Sequence, residues 1–225
     1  MRGLRFMLNS WKRMPKGLTI FVGVLTLAAE VLPFVFHEPL GEEDYMFPKI
    51  FLFFGMVIFV CMFAIASGGE MSMNKFVRSM PMAKELYTRS APMFIVMSVG
   101  VQTIIMGAYF VFLGIKGAEA TQFSDTLILG AVVCGSMMLF MPVTFPVPMG
   151  GLLGMYAVFA PIGITLFMLK KDVKLYGFNA PLPLAIGIFA AALILGTVWA
   201  FKISEARFRK RKAVTYNPLN AAYNK

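Results

Sequence analysis

Polar and apolar positions along this chain are segregated into long blocks. Uncharged, mostly apolar runs cover residues 50–69, 90–115, 126–169 and 175–201, with lengths of 20, 26, 44 and 27 residues. About 20 helical residues cross the roughly 30 Å of hydrocarbon in a bilayer, so every run is long enough to span. The 44-residue run is too long for one helix, and Pro142, Pro146, Pro148, Gly150 and Gly151 put a turn in its middle and make it two. A further span runs from Leu18 to about Phe36 and is apolar except for Glu30. Six spans are therefore expected, at about 18–36, 49–69, 92–115, 126–147, 150–169 and 180–204. A signal peptide is the competing reading of the first, since Arg2, Arg5, Lys12, Arg13 and Lys16 precede it. The apolar stretch is long for a leader, however, and no small-x-small cleavage site precedes the acidic HEPLGEED that follows.

Composition points the same way. Of the 225 residues 59% are hydrophobic and 14% charged, and mean hydropathy is +0.75. Soluble domains run at roughly 45–50% apolar and about 25% charged, so a soluble globular protein is excluded, and a disordered chain with it. The net charge of +10 sits in short blocks between the runs, where it reports topology. Across six alternating helices, one side collects 16 Lys and Arg and the other five. The positive-inside rule then puts both termini in the cytoplasm. The expected architecture is an all-α integral membrane protein, multi-pass in a bacterial plasma membrane.

Two segments are not simple spans. In residues 1–17, Leu4, Met7, Leu8 and Trp11 fall at helical spacing while Arg2, Arg5, Lys12 and Arg13 lie mostly on the remaining arc. This pattern suits a short helix in the inner interface, with Trp11 as anchor at headgroup depth and the cations on anionic lipid. The stretch between spans two and three mixes Lys75, Arg78, Lys84 and Arg89 with Phe76, Val77, Met80, Met82 and Leu86. A solvated connector has no need of so many large apolar groups. Ser72 or Asn74 would cap a short helix there, Pro81 would start or kink a second, and Lys84, Glu85 and Arg89 would continue its polar side. Such a cytoplasmic helix either lies on lipid or docks into a groove on a partner.

Chemistry-bearing residues are few. Glu30 is the one ionisable group inside the runs as drawn, and is read either as a lining residue of a path or seam, or as a carboxylate reaching the outer headgroups. A relay of membrane carboxylates has almost nothing to work with. His37 is the only histidine and reads as a loop residue, and Cys61 and Cys134 stand in apolar runs as small hydrophobes. Neither HExxH, GxxxxGK[ST] nor GxGxxG occurs. No catalytic residue, metal or cofactor is therefore assigned to the chain. Small residues at helix-packing spacing, such as Gly130 with Gly135, Gly150 to Gly154, and Gly187 with Gly196, point first to close helix approach within the chain.

The arrangement of six spans, a basic interfacial helix, the stretch MNKFVRSMPMAKELYTRSAP after span two and a basic tail resembles that of a type 2 ABC permease, the membrane subunit of an ABC exporter. The resemblance implies a cytoplasmic coupling helix between spans two and three. Lys75, Phe76, Arg78, Met80, Pro81, Lys84, Glu85 and Arg89 would dock there on a separate cytoplasmic ABC ATPase that carries ATP and Mg. It also implies a second permease subunit, identical or related, with the seam expected on Glu30 and Gly23 of span one and Gly154 and Gly163 of span five. The outer stretch KKDVKLYGFNAPLP is short for the family's re-entrant hairpin, and Pro181 and Pro183 would break the start of span six into a partial helix. A small amphipathic or peptide-like cargo fits this better than a large lipid or polysaccharide. The alternative is a non-transporting accessory or immunity protein that binds a partner within the bilayer through small-residue faces.

Residues 205–225 form the expected basic cytoplasmic tail. Arg207, Arg209, Lys210, Arg211 and Lys212 follow an apolar helix directly, and each contributes about 1 kcal/mol of attraction to an anionic leaflet. No folded basic domain stands behind them, so nucleic acid is not an expected partner. Deleting residues 214–225 is expected to leave insertion and partner binding intact, whereas replacing the five cations by acidic residues is expected to disturb topology. Cysteine accessibility from either side of sealed vesicles reads both outcomes.

Overall fold

The computed structural model describes residues 2–12, 15–35, 46–73, 80–144, 150–171, 174–175, 178 and 180–210. The chain is helical almost throughout these residues: α1 (Arg2–Trp11), α2 (Lys16–Val35), α3 (Met46–Met73), α4 (Ala83–Ile115), α5 (Ala120–Thr144), α6 (Gly150–Leu169) and α7 (Leu182–Lys210). A two-residue antiparallel ladder, Lys170–Lys171 with Lys174–Leu175, follows α6. Among the described residues, four helices, α2, α4, α5 and α7, are long and apolar enough to cross a bilayer. Shorter apolar stretches occupy α3 at Lys49–Ala64 and α6 at Leu152–Ile164.

Helix α5 is the centre of the bundle. Ser124 to Ala131 are all buried, and Val133, Cys134 and Met137 are buried below them, while α3, α4, α6 and α7 pack around this helix. The outer faces are apolar: Phe21, Val24 and Leu27 of α2, Ile104 and Val111 of α4, and Ile194 and Leu195 of α7 are exposed. An apolar exterior around an apolar core is what a bilayer solvent calls for.

Helix ends follow local chemistry. Gly117, at φ 71°, closes α4: its N–H bonds the Gly114 carbonyl and the Ala118 N–H bonds that of Leu113, a Schellman arrangement that consumes two otherwise unpaired carbonyls. The break expected from Pro181 and Pro183 at the start of the last helix does not occur: α7 is continuous from Leu182. Leu184 and Ala185 both bond the Pro181 carbonyl, and proline is tolerated in a first turn because the missing N–H has no intrahelical partner there.

Residues 83–90 likewise do not form a short helix separate from span three. They continue into α4 through a widened π-turn at Leu86–Ser90, immediately before Pro92. Pro92 cannot donate to the carbonyl four residues back and its ring crowds that turn; the extra residue in a π-turn makes room for both.

Glycine sets the closest helix approach. A Cβ on Gly55 would stand 2.7 Å from the Thr26 carbonyl oxygen and 3.0 Å from Glu30 Oε1, so only glycine lets α2 and α3 meet there. Gly130 faces Phe53, Met106 and Phe189 at 3.1–3.2 Å. Gly154 sits against Met141 and Thr144, so the small face expected at an intersubunit seam is used inside the chain at that position, while Gly23 and Gly163 have open space beside them. Gly55→Ala is expected to lower unfolding stability by about 1–3 kcal/mol through overpacking against backbone. Gly107→Ala, with nothing within 4 Å, is expected to stay within about 0.5 kcal/mol of the parent. Thermal or SDS unfolding of the two variants measures the difference.

Candidate functional site

Three elements far apart in sequence gather at one end of the bundle. Helix α1 lays Gly3 onto the start of α4, where a Cβ would collide with the Ser90 side chain; Met7 and Leu86 are both fully buried. The Phe208 ring of α7 stacks on Tyr87 at 6.0 Å and 27°. Arg207 donates through Nη1 to the carbonyl of Val143 in the last turn of α5, satisfying an otherwise orphaned group at the negative end of that helix dipole. Pro81, Lys84 and Arg89 are exposed at this end, with Met80 and Glu85 partly so. Arg5 of α1 and Arg209 of α7 are exposed too, the latter bonded to Glu205 at 2.6 Å. Leu86, Tyr87 and Ser90 are therefore buried beside Gly3 of α1 and Phe208 of α7, while Lys84 and Arg89 of the same segment stay exposed.

Lys75, Phe76 and Arg78 lie outside the described residues, as do His37 and the tail beyond Lys210. Trp11 is the last residue of α1. Of the eight docking residues proposed from sequence, the five from Met80 onward share this end.

The opposite end carries what the sequence reading missed. The sequence reading has Lys49 at the first position of span two and Asp125 just ahead of span four, and assigns a role to neither. In the fold both residues lie within helices and both are buried, 3% and 1% exposed, with Lys49 Nζ 4.0 Å from Asp125 Oδ2. Asp125 Oδ1 also accepts the Phe178 N–H at 2.7 Å, and the neighbouring Ser124 hydroxyl donates to the Ala180 carbonyl at 2.6 Å. The first turn and a half of α5 thus pins the start of α3 and the approach to α7. The available signal was helical phase: one charge at the edge of each of two runs, opposite in sign.

Glu30 does not reach outward from its helix. It turns into the seam of α2, α3 and α4, beside Gly55, with Gln102 Nε2 3.5 Å from its Oε2. Gln102 is 1% exposed and donates from the same nitrogen to the Leu52 carbonyl at 2.5 Å. A cavity of about 410 Å³ opens at this point, with Thr26, Glu30 and Gln102 in walls otherwise formed by groups such as Phe59, Phe94 and Met97. Among the described residues no three His, Cys, Asp or Glu side chains gather as a metal ion would require.

Comparison with family models, curated proteins and solved structures finds no match to this chain.

The buried pair gives a stability test. Removing one partner strands a charge, whereas replacing both by apolar groups removes the desolvation cost along with the attraction. Lys49→Met alone is expected to lower unfolding stability by about 3 kcal/mol, and Lys49→Met with Asp125→Leu to recover part of that loss, as read by SDS or thermal unfolding of the singles and the double.

Proposed function

We propose that the chain is the permease subunit of an ATP-driven exporter of the type 2 ABC kind. It spans a bacterial plasma membrane six times, with both termini in the cytoplasm, and moves a small amphipathic or peptide-like substrate outward. The observation that carries this reading is the packing of α1 and the end of α7 onto residues 83–90, with Lys84 and Arg89 exposed. Because 83–115 is one helix, a push on its exposed first turns travels along α4 to Met97, Val101 and Gln102 in the cavity wall. A rigid helix shared by a docking surface and a membrane cavity is the minimal coupling device. Hydrolysis belongs to a partner ATPase that holds ATP and Mg, and the second half of the pathway to a second permease subunit, identical or related. The six-span topology rests on the apolar stretches of α3 and α6 as well as the four longer spans, and its sidedness on the Lys and Arg imbalance.

A second reading, a non-transporting accessory or immunity protein, is favoured by one feature. An open apolar groove of about 740 Å³ runs between α5, α6 and α7 past Gly135, Pro161 and Ala192, a shape that suits a partner helix in the bilayer.

Copurification and charge reversal separate the two. Expressed with its genomic neighbours, the chain is expected to bring down an ABC ATPase, and Lys84→Glu with Arg89→Glu to abolish both that association and export. If no ATPase is retained by the parent chain, the transport reading fails. If the double variant keeps its function, the accessory reading takes its place.

A further inference from the structure

The groove of about 740 Å³ between α5, α6 and α7 has two unlike ends. Helices α5 and α7 run side by side in the same direction: Gly135 lies against Ala192, Gly196 against Met138, Trp199 bonds the Leu139 carbonyl, and Arg207 that of Val143. One end of the groove is therefore formed by Ala131, Gly135 and Ala192, and the other by Leu139, Trp199 and Lys202. At the helical rise, the step from Ala192 to Lys202 is about 15 Å. That is one leaflet, half of the roughly 30 Å of hydrocarbon in a bilayer.

Depth in the membrane follows from the same rise. Lys202 stands about 30 Å along α7 from Leu182, so a helix that enters the hydrocarbon at Leu182 leaves it at Lys202. Trp199, one turn before, is 45% exposed and donates its indole N–H to the Leu139 carbonyl at 3.3 Å, at the interfacial level where tryptophan is enriched. The groove thus opens at headgroup depth beside a lysine and runs inward between apolar walls.

Charge at the mouth is not balanced. Lys202 is the one charged side chain among the described residues that line the groove; it is exposed, and it forms no ion pair or hydrogen bond with another described residue. Glu205, the carboxylate nearest in sequence, is engaged by Arg209 at 2.6 Å, and Arg207 adds a further positive charge on the Val143 carbonyl. Helix α6 contains no charged residue, and the acidic residue of α5, Asp125, is at the far end of the bundle beside Lys49.

We infer that this groove binds one anionic phospholipid, its phosphate headgroup paired with Lys202 and its acyl chain descending between α5 and α7 toward Ala131 and Ala192. An anionic lipid brings a net negative charge to an uncompensated cation, worth more at the membrane surface than in bulk water, whereas the choline of a zwitterionic lipid cancels its own phosphate. The chain enters sideways, since Leu195 and Val198 on the groove margin are 68% and 49% exposed to the apolar exterior. A partner helix crossing the bilayer needs about 30 Å of face, twice what the groove offers, and would set an apolar flank against Lys202. The inference is independent of the transport reading and competes with the accessory reading for the same groove.

Photolabelling of the purified chain in phosphatidylcholine nanodiscs tests it, with trace phosphatidylglycerol or phosphatidylcholine carrying the same diazirine acyl chain as probes. Peptide mass spectrometry reads incorporation on residues 131–139 and 192–199, normalised to the exposed Ile104 and Val111 face of α4 as a bulk-lipid reference. Phosphatidylglycerol is expected to label the groove roughly fivefold above phosphatidylcholine, the equivalent of about 1 kcal/mol. Lys202→Gln is expected to bring that ratio to about one and Lys202→Arg to keep it; both change an exposed side chain, so thermal unfolding is expected to match the parent. Equal labelling by the two lipids in the parent, or a preference that survives in Lys202→Gln, would overturn the proposal. So would a groove labelled by neither lipid, which is the result a protein helix seated there would give.

Discussion

Everything in this fold depends on one constraint: a chain with an apolar exterior has to satisfy its polar groups from within. Water contributes nothing along the flanks of α2, α4 and α7, where large apolar side chains face outward. Helices solve the problem for the backbone. Side chains solve it piecemeal, by the back-bonding hydroxyls of Thr103 and Thr126, by Arg207 on the Val143 carbonyl, and by Asp125 on the Phe178 amide. Lys49 and Asp125 extend the same logic to charge, each making the burial of the other tolerable.

Packing within that constraint relies on shape, because lipid tails are as apolar as the core and give helices no hydrophobic reason to associate. Close approach does the work instead. Gly55 admits the α2 backbone, Gly130 admits two aromatic rings and a methionine, and Gly196 admits Met138. Methionine recurs at these contacts, with Met106, Met138 and Met141 facing glycines, as suits an unbranched side chain that fits irregular gaps. Pliable filler and glycine notches together produce a dense centre around α5.

The two ends of the bundle differ in kind. Lys49, Asp125, Ser124 and the residues before α7 make one end a set of fixed cross-links. The other has α1, the first turns of α4 and the end of α7 stacked by apolar and aromatic contacts beneath exposed cations.

The block pattern of the sequence was enough to determine an all-helical chain with an apolar exterior, the approximate limits of its long helices and the amphipathic character of α1. Hydrophobic run length and charge placement are local properties, and the bilayer reads them locally. Tertiary structure alone decided which apolar face is core and which is exterior: α5 is buried nearly all round and α7 mostly exposed, yet both read as uniformly apolar, because hydropathy carries no contrast when solvent and core are alike. Tertiary structure alone also joined Lys49 to Asp125, Gln102 to Leu52 and Glu30, and Phe208 to Tyr87, pairs 50 to 121 residues apart, and it extended α4 back to Ala83 past Pro92 through a π-turn. Each of these is a matter of helical phase and of the register between helices, and a single chain's pattern of polar and apolar letters encodes phase only where one side of a helix meets water.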